Sequence, residues 1–140
     1  MNEKIFPLSA EEIRALIERY PTPFHLYDEA TIRANFRRLR DAFAWAPHFR
    51  EHFAVKALPN PRIVQLLHEE GAGTDCSSIP ELLLASAAGV TGEEILLTSN
   101  DTPYEEFQQA ITLGAVINLD DLSHLPYMAE HAGLPKVLCF

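Results

Sequence analysis

The sequence predicts a parallel α/β protein, the first half of a (β/α)8 TIM-type barrel, and three observations carry that expectation. Short apolar runs begin near His52, Thr74, Glu94, Ala115 and Lys136, so each repeat takes about 21 residues, the length of one strand and one helix. The runs EILLT and AVINL lack clean alternation, as expected of parallel strands covered on both faces. Finally, the chain reads KALPNP where a dinucleotide-binding sheet would carry GxGxxG, and no Walker sequence occurs, which favours a barrel over a doubly wound sheet. A whole barrel takes about 250 residues. The 140 residues here stop inside the apolar run KVLCF and are expected to be a truncated half with about five strands.

Each element has a local reason. Ser9 with Glu12 forms a capping box that opens an amphipathic helix, SAEEIRALIERY, and the PTP at Pro21 to Pro23 ends it. Phe24 to Asp28, FHLYD, is expected to be a short strand. A longer helix follows, with Ile32, Phe36, Leu39 and Phe43 on one stripe and Arg33, Arg37, Arg38 and Arg40 on a solvated face. Asn60-Pro61 starts the next helix and Gly71 ends it. Ser78 with Glu81, and Thr102 with Glu105, are expected to cap helices ending at Gly89 and Gly114. Pro126, several residues after a cap at Asp121, predicts a last helix that starts late or has a distorted first turn. The chain thus divides into a helical segment over residues 1–22 and a partial barrel domain over residues 23–140.

Composition narrows the function classes. A formal net charge of -9 argues against nucleic acid or an anionic membrane as partner, because both are bound by basic surface. Cys76 and Cys139 are far apart and form no CxxC pair, which suits a reducing compartment. The start MNEKIFPLSAEEI lacks the apolar core of a signal peptide, and no run approaches a membrane span, so a cytoplasmic protein is expected. His25, His48, His52, His68, His124 and His131 show no metal-ligand spacing and read as surface or helix-end residues. Cys76 reads as a core thiol pointing away from the barrel mouth.

The stretch HFAVKALPNP, His52 to Pro61, sets a lysine at the end of an apolar run that resembles a buried strand. Lysine is rarely buried without a partner, because desolvation strips its charge. In a barrel, catalytic groups sit at the C-terminal ends of strands, where Lys56, Asp75 and the TSND of Thr98 to Asp101 all fall. From the residues alone four roles stay open for Lys56: a lysine snorkelling to solvent, an anion binder, an amine forming a Schiff base with a carbonyl substrate, and an amine joined to pyridoxal phosphate.

PFHLYDEATIRANFRRL, followed by HFAVKALPNPRIVQLLHEEGAGTDCSSIPELLLASAAGV, resembles the fold-type III pyridoxal-phosphate decarboxylases, most closely their diaminopimelate decarboxylases. The resemblance rests on a strand and helix before the barrel, a YAVKAN-like strand written here FAVKAL, and a GxDCSSxxEL block about 17 residues later. It implies that Lys56 holds pyridoxal 5'-phosphate as a Schiff base, that Ala54 is small to leave room for the pyridine ring, and that Asp75 pairs with the Lys56 ammonium once substrate displaces it. Glu81 also matches a family glutamate, although the capping box with Ser78 accounts for it. Leu58 departs from the small or polar residue usual after VKA, which loosens the substrate assignment.

The resemblance further implies a homodimer with active sites at its interface. It also implies an absent C-terminal β-domain, and later segments holding the phosphate loop, the pyridine-nitrogen partner and the substrate clamp. The 140 residues alone are therefore expected to be inactive. The implied reaction is meso-diaminopimelate to L-lysine and carbon dioxide, with ornithine, arginine and carboxynorspermidine decarboxylases as near alternatives. From another class, a non-catalytic α/β module would use Lys56 and Asp75 as a structural ion pair.

Overall fold

The computed structural model describes residues 7–140; Lys4 and the rest of residues 1–6 of the expected N-terminal segment lie outside the described residues. Two helices lead, α1 (Ala10–Arg19) and α2 (Glu29–Ala42). Strands and helices then alternate: β1 (His52–Ala54), α3 (Pro61–Glu69), β2 (Gly73–Cys76), α4 (Ile79–Ala87), β3 (Ile95–Ser99), α5 (Tyr104–Leu113), β4 (Val116–Leu119), α6 (His124–His131) and β5 (Leu138–Cys139). All four strand pairings are parallel and follow chain order, β1-β2-β3-β4-β5. Right-handed crossovers between successive neighbours put every connecting helix on the same face, which is the arrangement of a barrel wall.

That one-sidedness explains the core. Residues of the strands that point to the helices, among them Cys76, Ile95, Leu97, Ile117 and Leu119, are buried with Val64, Leu82, Ala85, Phe107, Ala110 and Met128. Alternate residues Ala54, Asp75, Leu96, Thr98, Val116 and Asn118 face the other way and are half-buried. The expectation of strands covered on both faces therefore holds for the helix side only. A second cluster, Phe36, Ile63, Leu67 and Ala72, packs α2 onto α3.

Local signals are met at several ends. Ser9 and Glu12 close the capping box: the Glu12 N–H donates to Ser9 Oγ at 3.2 Å, and the Ser9 N–H to Glu12 Oε2 at 2.8 Å. Asn60 caps α3, accepting the Arg62 N–H at 3.0 Å. Gly114 ends α5 in the left-handed region, at φ 71. The last helix starts late, as Pro126 predicts, after Asp121 takes the Ser123 N–H at 2.7 Å.

Four expectations need correction. Phe24 to Asp28 form no strand: Phe24 to Tyr27 are exposed with no ladder partner among the described residues, and Asp28 instead caps α2 through the Thr31 N–H. Thr102 is not a cap, because its hydroxyl donates to the Ser99 carbonyl at 2.9 Å, and Pro103 takes the cap position without a side-chain bond. Ser78 does not accept from the backbone of α4 either; its hydroxyl donates to Glu81. The arginines of α2 are more than a solvated face. Arg33 reaches Glu70 at 2.9 Å and Glu69 of α3 as well as Glu29, and Arg37 reaches Glu70 at 2.6 Å, so they tie α2 to α3 over the second cluster.

The Glu70 side chain is only 8% exposed, and hydrogen bonds from Arg37 and Arg33 hold its carboxyl down to about 2. A depressed carboxyl stabilises the fold above its ordinary range and ceases to do so as pH falls through the folded value. Thermal melts of the full-length protein and Glu70→Gln should therefore differ most at neutral pH, with the wild type the more stable, and converge between about pH 4.5 and about pH 2. A gap independent of pH would show that the network contributes through packing alone.

Candidate active site

The mouth of the sheet is built where the strands end. β1 stops at Ala54 because the chain winds into a 3-10 turn over Val55–Ala57, closed by the Leu58 N–H on the Val55 carbonyl at 3.2 Å. Val55 is fully buried and anchors the turn, and Lys56 next to it is exposed. Lys56 therefore stands just beyond the strand. Strand alternation, which would set Ala54 and Lys56 on one face, ends with the turn. What the sequence presents as a buried lysine is a lysine lifted out of the sheet by a turn whose preceding residue takes the core position.

Asp75 pairs with Ala54 on one side and Leu96 on the other. Its Oδ1 is buried without a hydrogen-bond partner. Burial pushes the carboxyl above its ordinary range, opposed by the Thr98 hydroxyl and by the charges of Lys56 and His52. Among the described residues Lys56 forms no ion pair, so a structural Lys56–Asp75 bridge is not made. The methyl of Ala54 leaves the space over Asp75 open. An exposed primary amine, an unpartnered carboxylate oxygen and a small residue between them fit an aldehyde cofactor that needs an amine to join and a flat space to lie in.

The loop behind Asp75 is held by its own side chains. Glu81 accepts the Ser77 N–H, the Ser77 hydroxyl and the Ser78 hydroxyl, each at 3.1 Å. Its carboxylate thus fixes the β2–α4 turn instead of completing a capping box. Cys76 is fully buried on the helix side, and burial pushes its thiol up to about 12.

Three residues at or below the mouth escaped the sequence reading. Asn118 donates from Nδ2 to Thr98 Oγ1 at 3.4 Å, and the two are partners in the β3–β4 register. The signal was available: an amide inside the apolar run AVINL, one repeat after Thr98 and in register with it. Glu106 on α5 has a buried Oε2 with no partner, and burial raises its carboxyl. In sequence it is one of two ordinary first-turn glutamates. His52, expected at the surface, lies at the start of β1 with Nε2 buried.

Comparison with known proteins places this geometry. Residues 29–139 match the family model described as the pyridoxal-binding domain of pyridoxal-dependent decarboxylases. The chain is 45% identical to Protein TabA of Pseudomonas amygdali pv. tabaci over 98% of its own length and 31% of that protein. With the diaminopimelate decarboxylase of Methanothermobacter thermautotrophicus it shares 38% identity over 84% of its length and 28% of the relative. The crystal structure of lysine decarboxylase from Selenomonas ruminantium superposes with a TM-score of 0.79 at 27% identity, covering 91% of this chain and 33% of that one. This chain belongs to the pyridoxal-dependent decarboxylases, and its parallel strands are the N-terminal part of their barrel, the domain that binds pyridoxal phosphate. It spans about a third of the length of the curated relatives it matches.

The state of Cys76 is testable by itself. Since the thiolate is the nucleophile, a buried thiol raised to about 12 should alkylate on the order of a thousand times more slowly than a free cysteine at neutral pH. Peptide mapping after timed alkylation of the native protein measures this. Rapid labelling of Cys76 would place it in the mouth instead of the core.

Proposed function

We propose that the protein to which this chain contributes decarboxylates meso-diaminopimelate to L-lysine and carbon dioxide, with Lys56 as the amine that holds pyridoxal phosphate. The observation that carries the reading is the exposed Lys56 amine standing on a core-anchored turn at the strand ends, beside the unpartnered Asp75 oxygen. When bound, the cofactor supplies a sink for the electron pair left as carbon dioxide departs.

The chain's own residues do the rest. Lys56 would bind the cofactor through its side-chain nitrogen and, once an incoming amine displaces it, would carry the proton that the substrate ammonium gives up. Asp75, ionised, then holds that ammonium close. Ala54 leaves room for the ring, and the buried Val55 fixes the height of the amine. Glu81 with Ser77 and Ser78 keeps the Asp75 loop from yielding when charge changes hands.

Substrate choice follows from charge and from kinship. Glu81 acts on the Asp75 carboxyl, and Glu81 with Asp101 on that of Glu106, so acidic groups gather at the mouth, and such a surface favours a substrate with a second ammonium group. Meso-diaminopimelate carries one, and several relatives of this chain are diaminopimelate decarboxylases. Ornithine, arginine and carboxynorspermidine share the second cationic end and are the alternatives. The same reading makes the full-length protein a cytoplasmic homodimer. No described helix is long and apolar enough to cross a membrane.

In the full-length protein, Lys56→Arg should abolish carbon dioxide release from meso-diaminopimelate while leaving the melting temperature unchanged, because guanidinium keeps the charge but cannot join an aldehyde. Lys56→Ala should lose the near-ultraviolet and visible band of lysine-bound cofactor. Ornithine, arginine and carboxynorspermidine assayed in parallel decide the substrate. Activity retained in Lys56→Arg would remove Lys56 from the role.

Asp75→Ala should slow turnover on the order of a hundred-fold and weaken cofactor binding less, since the covalent link does not depend on the carboxylate. A variant that loses cofactor yet turns over normally when saturated with it would refute this division.

A further inference from the structure

His52 and Gly73 are partners in the β1–β2 register. A methyl group at Gly73 would collide with His52 Cδ2, and would come within 2.6 Å of its Nε2 and 2.5 Å of the Glu94 carbonyl oxygen. The absence of a side chain there is what admits the imidazole, which occupies the space a β2 residue would otherwise fill. Asp75 is the next residue of β2 on the same face, and Ala54, opposite it, is too small to come between. Two buried polar atoms without partners thus share one patch of the inner face, Nε2 of His52 and Oδ1 of Asp75. The two lie on one face of adjacent strands, and the charge of His52 is among those that bear on the Asp75 carboxyl.

We propose that His52 is a positioning residue for Asp75: seated in the notch at Gly73, its imidazole acts on the carboxyl and keeps it ionised for service beside Lys56. The inference rests on the role given above to Asp75. Burial alone drives that carboxyl towards its neutral form, which could not hold an ammonium. Lys56 helps the imidazole and Glu81 opposes it. The other charged groups near His52 are engaged elsewhere: Glu51 lines the groove of α2 and α3 with Phe36 and Phe53, and Arg50 pairs with Glu94 at 3.4 Å. A histidine can meet the need while remaining neutral, because its N–H is a donor in either charge state.

The test uses the cofactor-loaded, full-length protein. Isotope-edited infrared spectra across pH follow the protonated-carboxyl band of aspartate, assigned to Asp75 by its loss in Asp75→Asn. His52→Phe keeps a ring and removes both nitrogens, and should raise the Asp75 midpoint by about one pH unit, a ten-fold gain in proton affinity. His52→Gln, whose amide nitrogen reaches nearly as far as Nε2, should restore most of the wild-type value. A rise in both variants also supports the link and assigns it to the imidazolium charge. If His52→Phe does not fold, His52→Asn, too short to reach, takes its place with the same expectation.

An unmoved midpoint overturns the proposal. Turnover of Asp75→Asn, measured alongside, keeps the two claims apart. Normal turnover in that variant removes the role of Asp75 and leaves the His52 link standing, whereas impaired turnover with an unmoved midpoint does the reverse.

Discussion

The parallel pairing of each strand with its successor is the constraint from which the remainder of the structure follows. Once β1 to β5 lie in chain order, every crossover must return over the same face, and the helices can cover only that side. Side chains then divide by parity. Those towards the helices can be apolar and fully buried, as Ile95, Leu97 and Ile117 are, while those facing inward are free to carry chemistry. Asp75, Thr98 and Asn118 all stand on the inward parity near the strand ends, so one geometric rule collects polar groups that are 20 residues or more apart in sequence.

The 3-10 turn after β1 resolves a conflict that a longer strand could not. A strand continuing through Val55 and Lys56 would alternate their faces and set the lysine at a height fixed by the sheet. Winding the chain at Val55 buries that residue completely, and lets Lys56 leave the sheet with its amine in the open. Core burial on one side of the peptide thus holds the Lys56 amine on the other. A packing change at Val55 should consequently displace the Lys56 amine, since the two share one turn.

Much of the fold was legible because it obeys local rules with few competitors. The strand starts near His52, Thr74, Glu94, Ala115 and Lys136 agree with the observed strands to within two residues, since a buried strand and its helix must each be a certain length. Asn60, Pro126 and Gly114 act through their own backbone geometry and behave as their residue types require. The failures have a common physical origin. Phe24 to Asp28 look like a strand but have no neighbour to pair with among the described residues, and pairing is a tertiary fact. Ser78 and Thr102 have the cap residue type, yet their hydroxyls find the Glu81 carboxylate and the Ser99 carbonyl, which lie nearer in space than the expected amides. At the proposed site, motif and spacing single out Lys56 and Asp75 as candidates, whereas His52 becomes a candidate only once the register sets it against a glycine.

The carboxylates show how one fold sets scaffold and site apart by environment. Glu70 lies under two arginines, and its proton is held off down to about pH 2, which suits a group whose task is to stay charged and join two helices. Asp75 and Glu106 are pushed the other way by burial, with no arginine among the causes, and each leaves an oxygen without a partner. Buried polar atoms cost free energy unless something satisfies them, so two such atoms near one mouth are a standing demand for positive charge or donated protons. The charges of Lys56 and His52 answer it in part at Asp75. The fold thus places its paired arginines on the α2–α3 seam, where Glu70 is satisfied, and leaves Asp75 and Glu106 each with an unsatisfied oxygen.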